Sequence, residues 1–354
     1  MRNEVELLKA LVACPSVSGT EDAIARLVES IATGFGLDVV RDDTGVKISV
    51  DTGRPGRTLA FISHLDVVPP GEGWTRDPFT PVIEGDRLYG RGSGDAKASV
   101  AAMLLAALDF AEGRDPMVGG SLLVVFGLGE ETKNTSMGRA VASLPPITAA
   151  VVGEPTNLQI AIAQRGLMMV DLIAHGDQRH AGYAADGEFT NSITRLAADL
   201  VRLPDLCQER AHPVLGLTTV TATMVEAGVS RNVTPPTAKA VLDIRSTPSW
   251  EHAEIGAVLK ASLGCEVVVT SERLVPCETP PESKLLAAAR RVTPGVTTFG
   301  SPTCSDWVFV RHTDAIKCGP GTSRRSHTAD ECVDLPEVTA ARRMYRALAE
   351  EYLR

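Results

Sequence analysis

The feature that most constrains the fold is the alternation of short apolar runs with helix-like segments. Leu59-Ala60-Phe61-Ile62-Ser63, Ser121 to Phe126 and Ala149 to Val152 are compact apolar stretches bounded by Gly and Pro, the texture of buried strands. Between and before them, residues 4–13, 21–33 and Ser99 to Phe110 read as helices. The second of these follows Ser18-Gly19-Thr20-Glu21-Asp22, which supplies cap residues and first-turn acids. Strand-then-helix order predicts an α/β fold in which a mostly parallel sheet carries helices on both faces.

The texture changes near residue 166. Leu167 to Ala174 reads as a strand, Asn191 to Val201 as a helix, and Thr218 to Val225 and Ala238 to Arg245 as strands. Trp250 to Leu263 is helical, and Glu266 to Thr270 is strand-like. That β-α-β-β-α-β order is the ferredoxin-like pattern of a small α+β domain. A Pro-rich stretch, Pro276 to Pro281, then returns the chain to α/β texture. At 354 residues the chain exceeds the size at which one core stops growing. The expected organisation is therefore a larger domain of residues 1–165 and 276–354, interrupted by a smaller one of residues 166–275.

Charge and composition exclude several classes of function. The balance is 35 basic against 44 acidic residues, with only 4 Tyr and 8 Phe. Such a chain offers neither the basic surface nor the stacking platform of a nucleic-acid binder. No apolar run reaches the ~20 residues needed to span a bilayer. Acids in Met1-Arg2-Asn3-Glu4-Val5-Glu6 oppose a signal peptide, so a cytoplasmic protein is expected. The 7 cysteines form no C-x-x-C pair, which argues against a disulfide framework or a thiolate zinc site.

The chemistry-bearing residues cluster at the ends of the predicted strands. His64-Leu65-Asp66 follows the first, and Glu130-Glu131 follows Ser121 to Phe126. Glu154 follows Val151-Val152-Gly153, and His327 follows the run Ala315 to Cys318 and the turn Gly319-Pro320-Gly321. Asp95 immediately precedes the Ala-rich helix. Ligands of open α/β sheets bind outside the carboxyl ends of the strands, so these distant residues can converge. Two imidazoles and three carboxylates suit Zn²⁺, Co²⁺ or Mn²⁺. Asp66 shares an extended segment and a face with His64, placed to accept its second ring N–H. Each residue alone has an ordinary reading: a hydrogen-bonded loop His, a solvated Glu pair, a capping Asp, a Glu-Pro turn. On spacing alone, both readings stay open.

The motifs themselves tip the balance. SHLDVVPPGEGW (63–74), LYGRGSGDAK (88–97), GLGEET (127–132), VVGEPT (151–156) and SHTADE (326–331) resemble the M20 metallopeptidase and deacylase family. Weaker matches are RHAG (179–182), RNVTPP (231–236), LDIRST (242–247) and PTCSDW (302–307), all in the family's order. Ser93-Gly94-Asp95-Ala96-Lys97-Ala98 and Pro302 to Asp306 depart from the family's usual wording around the pocket.

The resemblance implies a zinc-peptidase-like fold and a dinuclear amidohydrolase site with two Zn²⁺, which Co²⁺ or Mn²⁺ can replace. One metal would be held by His64 and Glu154, the other by Glu131 and His327, with Asp95 bridging. Asp66 would orient His64, Glu130 would be the general base, and His180 of the smaller lid domain would assist at the scissile carbonyl. Arg165, Arg231, Asn232, Arg245 and Gly321 are the expected substrate contacts. The partners expected are a small N-acyl amino acid and a second copy of the chain joined through the lid, with no nucleic acid and no membrane. The first-choice substrate is an N-acetylornithine or N-acetylcitrulline; the alternatives are N-succinyl-diaminopimelate or a peptide.

Overall fold

The computed structural model describes residues 2–183 and 189–354. It separates into two units, one of residues 1–162, 279–299 and 305–354, the other of residues 163–278 and 300–304.

In the first unit the strand order is Asp38–Asp42, Gly45–Asp51, Ser121–Gly127, Thr58–His64, Ala149–Val152, Asp314–Lys317 and Ile160–Gln164. The four strands from Ser121–Gly127 to Asp314–Lys317 are mutually parallel, with Phe61 opposite both Val124 and Val151, and Ile316 opposite Val151. Antiparallel strands close both sides of this block. The hairpin Asp38–Asp42/Gly45–Asp51 is an addition to the sequence reading. Its first strand is mostly exposed, and so lacks the continuous apolar run that marks the central strands.

Why the central strands are so apolar follows from their surroundings. Strands buried on both faces read as continuous rather than alternating runs, and Thr58–His64 is buried from Leu59 onward. The helix Lys97–Gly113 is buried almost all round, which its Ala/Leu composition permits. The C-terminal helix Leu335–Leu353 packs into the same core, its Tyr345 ring 5.4 Å from that of Phe61 and its hydroxyl donating to the Cys318 carbonyl at 2.7 Å.

The second unit is a four-stranded antiparallel sheet ordered Thr219–Ala227, Thr237–Arg245, Leu167–His175, Glu266–Leu274. With the helices Ser192–Arg202 and His252–Ser262, this is the ferredoxin-like arrangement. Burial alternates along Leu167–His175, and Met168, Val170, Leu172 and Ala174 form the core with Leu196, Ile255 and Leu259. Asp199, buried on the first helix, accepts hydrogen bonds from Gly264 N at 3.1 Å and Cys265 N at 2.7 Å. Asp199→Ala leaves both donors without that acceptor. It is expected to cost about 1.5–3 kcal/mol of unfolding free energy in urea denaturation, the range for hydrogen bonds to a charged group.

No cysteine among the described residues is joined in a disulfide. Among the described residues, no helix is long and apolar enough to cross a membrane.

Candidate metal centre

Parallel strands bring their carboxyl ends to one edge of the sheet, and the first unit uses that edge. His64 ends its strand in register with Gly127, just before Glu130 and Glu131. Glu154 follows Ala149–Val152, His327 lies in the loop beyond Asp314–Lys317, and Asp95 sits just before Lys97–Gly113. The Asp95–Ala96 peptide is cis.

The five residues converge. His64 Nε2 lies 3.4 Å from Asp95 Oδ1 and 3.9 Å from Glu154 Oε1. His327 Nε2 lies 2.9 Å from Glu131 Oε1 and 3.6 Å from Asp95 Oδ2. Ligand atoms of His64, Asp95 and Glu131 all fall within 4.8 Å of one another. Asp95 thus turns one oxygen toward each imidazole, with Glu154 near His64 and Glu131 near His327. His64, Asp95 and Glu154 are buried, whereas His327 is about half exposed.

Asp66 organises this edge. Its Oδ1 lies 3.4 Å from His64 Nδ1, which also meets the Asp66 carbonyl at 3.0 Å. Both contacts accept from Nδ1–H and leave Nε2 to face the carboxylates. The same side chain accepts from Glu130 N at 2.9 Å, Glu131 N at 3.0 Å and Ser18 Oγ at 2.7 Å. Burial alone would raise its pKa, but the His64 contact and the other donors outweigh it and bring it down to about 2.

The electrostatics test whether cations fit. Burial, with Asp95 next to it, pushes Glu154 up to about 8. Burial and surrounding carboxylates raise Glu130 well above the usual range, although His64 opposes them. Asp306 is pushed up to about 7, chiefly by burial and also by Asp66. His64 is driven in the other direction from a buried neutral ring: burial disfavours its charge, but Asp66 and Asp95 raise its pKa well above normal. Glu154 Oε1 is buried without a hydrogen-bond partner among the described residues. A buried set of carboxylates outnumbering its imidazoles, one oxygen unpartnered, is what divalent cations would neutralise. The donor set fits a metal pair.

Other expected contacts are distributed differently. His180 is exposed on the two-residue strand Arg179–His180 of the second unit, paired with Val233–Thr234, and its Nδ1 accepts from Gly182 N at 3.0 Å. Arg231 and Asn232 lie beside it, also exposed, with Asn232 O accepting from Ala181 N at 2.8 Å. Arg165 directs its terminal nitrogens to the carbonyls of Leu217, Arg245 and Leu215 at 2.6–3.0 Å, so its guanidinium braces the second unit. Arg245 forms a two-point ion pair with Asp243 on its own strand. Gly321 has a conformational reason to be glycine. Its φ is +85°, and a Cβ there would come within 3.3 Å of Gly94 Cα, against the Asp95 loop.

Three participants carry no role in the sequence reading, though their motifs are quoted there or run beside them. Asp306 is buried close to His64, Asp66 and Glu130, with the Asn134 amide beside it. Asn134 donates from Nδ2 to Glu130 Oε1 at 3.4 Å. Glu331 accepts from the backbone of the Asp95 loop. The partners of Asp306 and Glu331 are distant in sequence and so invisible to spacing, whereas Asn134 lies one turn after Glu130, just beyond its motif.

Comparison with known proteins gives the same picture. Residues 60–351 match peptidase family M20/M25/M40. Succinyl-diaminopimelate desuccinylase from Cereibacter sphaeroides is 31% identical, covering 98% of each chain. A tripeptidase from Staphylococcus aureus superposes with a TM-score of 0.83 at 18% identity, covering 99% of this chain and 98% of that one. A dinuclear metal-binding peptidase of family M20 from Bacillus subtilis superposes with a TM-score of 0.74 at 16% identity, covering 98% and 96%. With most of its length matched, this chain belongs to peptidase family M20/M25/M40 and is a hydrolase of that family.

Proposed function

We propose that the chain hydrolyses the amide bond of an N-acyl amino acid, with N-succinyl-L,L-diaminopimelate as the first substrate class to test. The observation that carries the chemistry is Asp95, whose two oxygens face His64 and His327 respectively. The substrate preference rests on the desuccinylases, about 30% identical over nearly the whole chain. These relatives give the N-acetylornithine or N-acetylcitrulline reading no specific support, and the succinyl alternative takes its place.

In this reading His64 and Glu154 would hold one Zn²⁺ and Glu131 and His327 the other, with Asp95 facing both. Such cations, when bound, would supply Lewis acidity toward the amide carbonyl and toward water, whose pKa metals lower from 15.7 toward about 7. The residues of the chain do the rest. Glu130, adjacent to Glu131 but tied to Asn134, takes a proton from the attacking water and returns it to the departing amine. A positioned carboxylate of this kind is the usual carrier for such a proton. Asp66 fixes the His64 ring and, through two backbone N–H groups, the turn that carries Glu130 and Glu131. On the second unit, His180, Arg231 and Asn232 form the exposed polar surface assigned to substrate contact.

The same unit supports a homodimer. Thr219–Ala227 is an edge strand with Met224 66% and Val225 58% exposed, a surface that pairing would cover. Sedimentation is expected to give a dimer that Val225→Lys weakens.

The substrate reading is tested by steady-state rates on zinc-loaded protein across N-succinyl-L,L-diaminopimelate, N-acetylornithine, N-acetylcitrulline and a dipeptide set. The succinyl substrate is expected to give the highest kcat/KM. A dipeptide preferred over every N-acyl amino acid would overturn the assignment.

A further inference from the structure

The loop that carries Asp95 has no regular secondary structure of its own to hold it. The chain leaves the short strand Arg87–Tyr89, turns through Gly90-Arg91-Gly92-Ser93-Gly94, and reaches Asp95 before the helix begins. Three glycines in this stretch make it the segment of the metal edge with the greatest backbone freedom to lose. Something outside it must define its path.

Glu331 is placed to do so. Its carboxylate is buried, and Oε1 accepts from Gly94 N and Asp95 N, both at 3.0 Å. Oε2 accepts from Gly92 N at 3.1 Å and from Arg91 Nη1 at 2.7 Å. Its own backbone carbonyl takes Gly90 N at 2.9 Å and Ser93 Oγ at 3.3 Å. Nearly every turn of the Asp95 loop thus ends on one residue. A carboxylate held by three backbone donors of one loop, Gly92, Gly94 and Asp95, is an anion in a nest of N–H groups.

The second half of the device faces His327. Glu331 sits a few residues after His327 in the same loop. Arg91, its buried ion-pair partner, directs Nη2 to the Pro70 carbonyl at 2.9 Å and toward the His327 carbonyl at 3.5 Å. The guanidinium lies 5.1 Å from the Trp74 ring, and the Trp74 indole donates to the same Pro70 carbonyl at 2.8 Å. Asp330, beside Glu331, accepts from Thr75 N at 3.0 Å and Thr75 Oγ1 at 2.8 Å. Three loops, bearing His64–Trp74, Asp95 and His327, are thereby tied at one buried ion pair.

We propose that Glu331, with Arg91, is a positioning residue that fixes the Asp95 carboxylate and the His327 imidazole relative to one another for metal binding. The inference rests on the metal-centre reading above. Its physical basis is that a bridging carboxylate binds well only if its two oxygens are already aimed, and Glu331 removes the freedom of the backbone that aims them. A buried pair of this kind costs desolvation and is a poor source of stability, which leaves specificity of geometry as its contribution.

The test uses metal-stripped full-length protein titrated with Co²⁺, followed by calorimetry and by the visible absorption of the bound ion. Glu331→Gln keeps the side-chain shape but offers an amide N–H to groups that are themselves donors. It is expected to bind Co²⁺ about 10–100-fold more weakly, with a changed visible band, in protein that remains folded by near-ultraviolet circular dichroism. Glu331→Asp, which keeps the charge and shortens the reach, is expected to fall between the two, and it provides the readout if the Gln variant does not fold. Asp109→Asn breaks the ion pair with Arg342 in the same unit and serves as a purely structural comparison, expected to lower unfolding temperature without altering Co²⁺ affinity. Folded Glu331 variants with Co²⁺ affinity within twofold of wild type would overturn the inference alone, as would an equal loss in Asp109→Asn. Wild type that takes up no Co²⁺ would overturn the metal-centre reading and this inference together.

Discussion

Replacing Glu130 with Gln is expected to remove nearly all hydrolysis while leaving two equivalents of bound metal. The two adjacent glutamates answer to different partners. Glu131 Oε1 reaches His327 Nε2 at 2.9 Å, whereas Glu130 is linked to Asn134 and lies among the buried carboxylates. Gln keeps the volume and the Asn134 contact but holds no exchangeable proton at the needed pKa. A general base contributes about 10²–10⁴-fold, and that is the expected fall in kcat, with KM little changed. Metal content by elemental analysis and steady-state rates check both halves. Glu131→Gln, by contrast, should lose metal as well as rate.

Asp95→Ala is expected to have the other large effect. Loaded protein loses the carboxylate that faces both imidazoles, and bound metal should fall from two equivalents to one or none. Loss of about 4 kcal/mol of transition-state stabilisation corresponds to roughly a thousandfold in kcat. Metal-free protein is expected to lose stability as well, because, against burial, His64 and His327 hold the Asp95 carboxyl below its usual range, an attraction that outweighs its repulsion of Glu154. Thermal unfolding in chelator reads this directly. The contacts from Glu331 go to the Asp95 backbone and survive the substitution.

How much of this was legible beforehand divides along a physical line. The apolar runs at 59–63, 121–126 and 149–152 became Thr58–His64, Ser121–Gly127 and Ala149–Val152, because a strand buried on both faces leaves an unambiguous local mark. The Ala/Leu stretch from Ser99 became Lys97–Gly113 for the same reason. The hairpin Asp38–Asp42/Gly45–Asp51 was passed over, since its first strand is solvated and carries no such mark. At the site, His64, Asp95, Glu131, Glu154 and His327 were readable as a coherent donor set at strand ends, and they are adjacent in space. Glu331 and Asp306 were readable only as letters in their motifs. What they do depends on backbone donors and buried neighbours far away in sequence, such as Asp95 N, 236 residues from Glu331. Arg165 illustrates the reverse. Its position suggested a substrate contact, and the three backbone carbonyls that accept from its guanidinium leave no local mark in the sequence.

The central claim is a metal pair held by these five side chains that drives amide hydrolysis. Zinc titration of stripped protein, with bound equivalents and the rate of N-succinyl-L,L-diaminopimelate hydrolysis measured on the same samples, tests it most directly. The account predicts that binding saturates at two equivalents, that activity rises with occupancy from near zero, and that Asp95→Ala never reaches the second equivalent. Full hydrolysis in chelated protein, or saturation at two equivalents in Asp95→Ala, would contradict it.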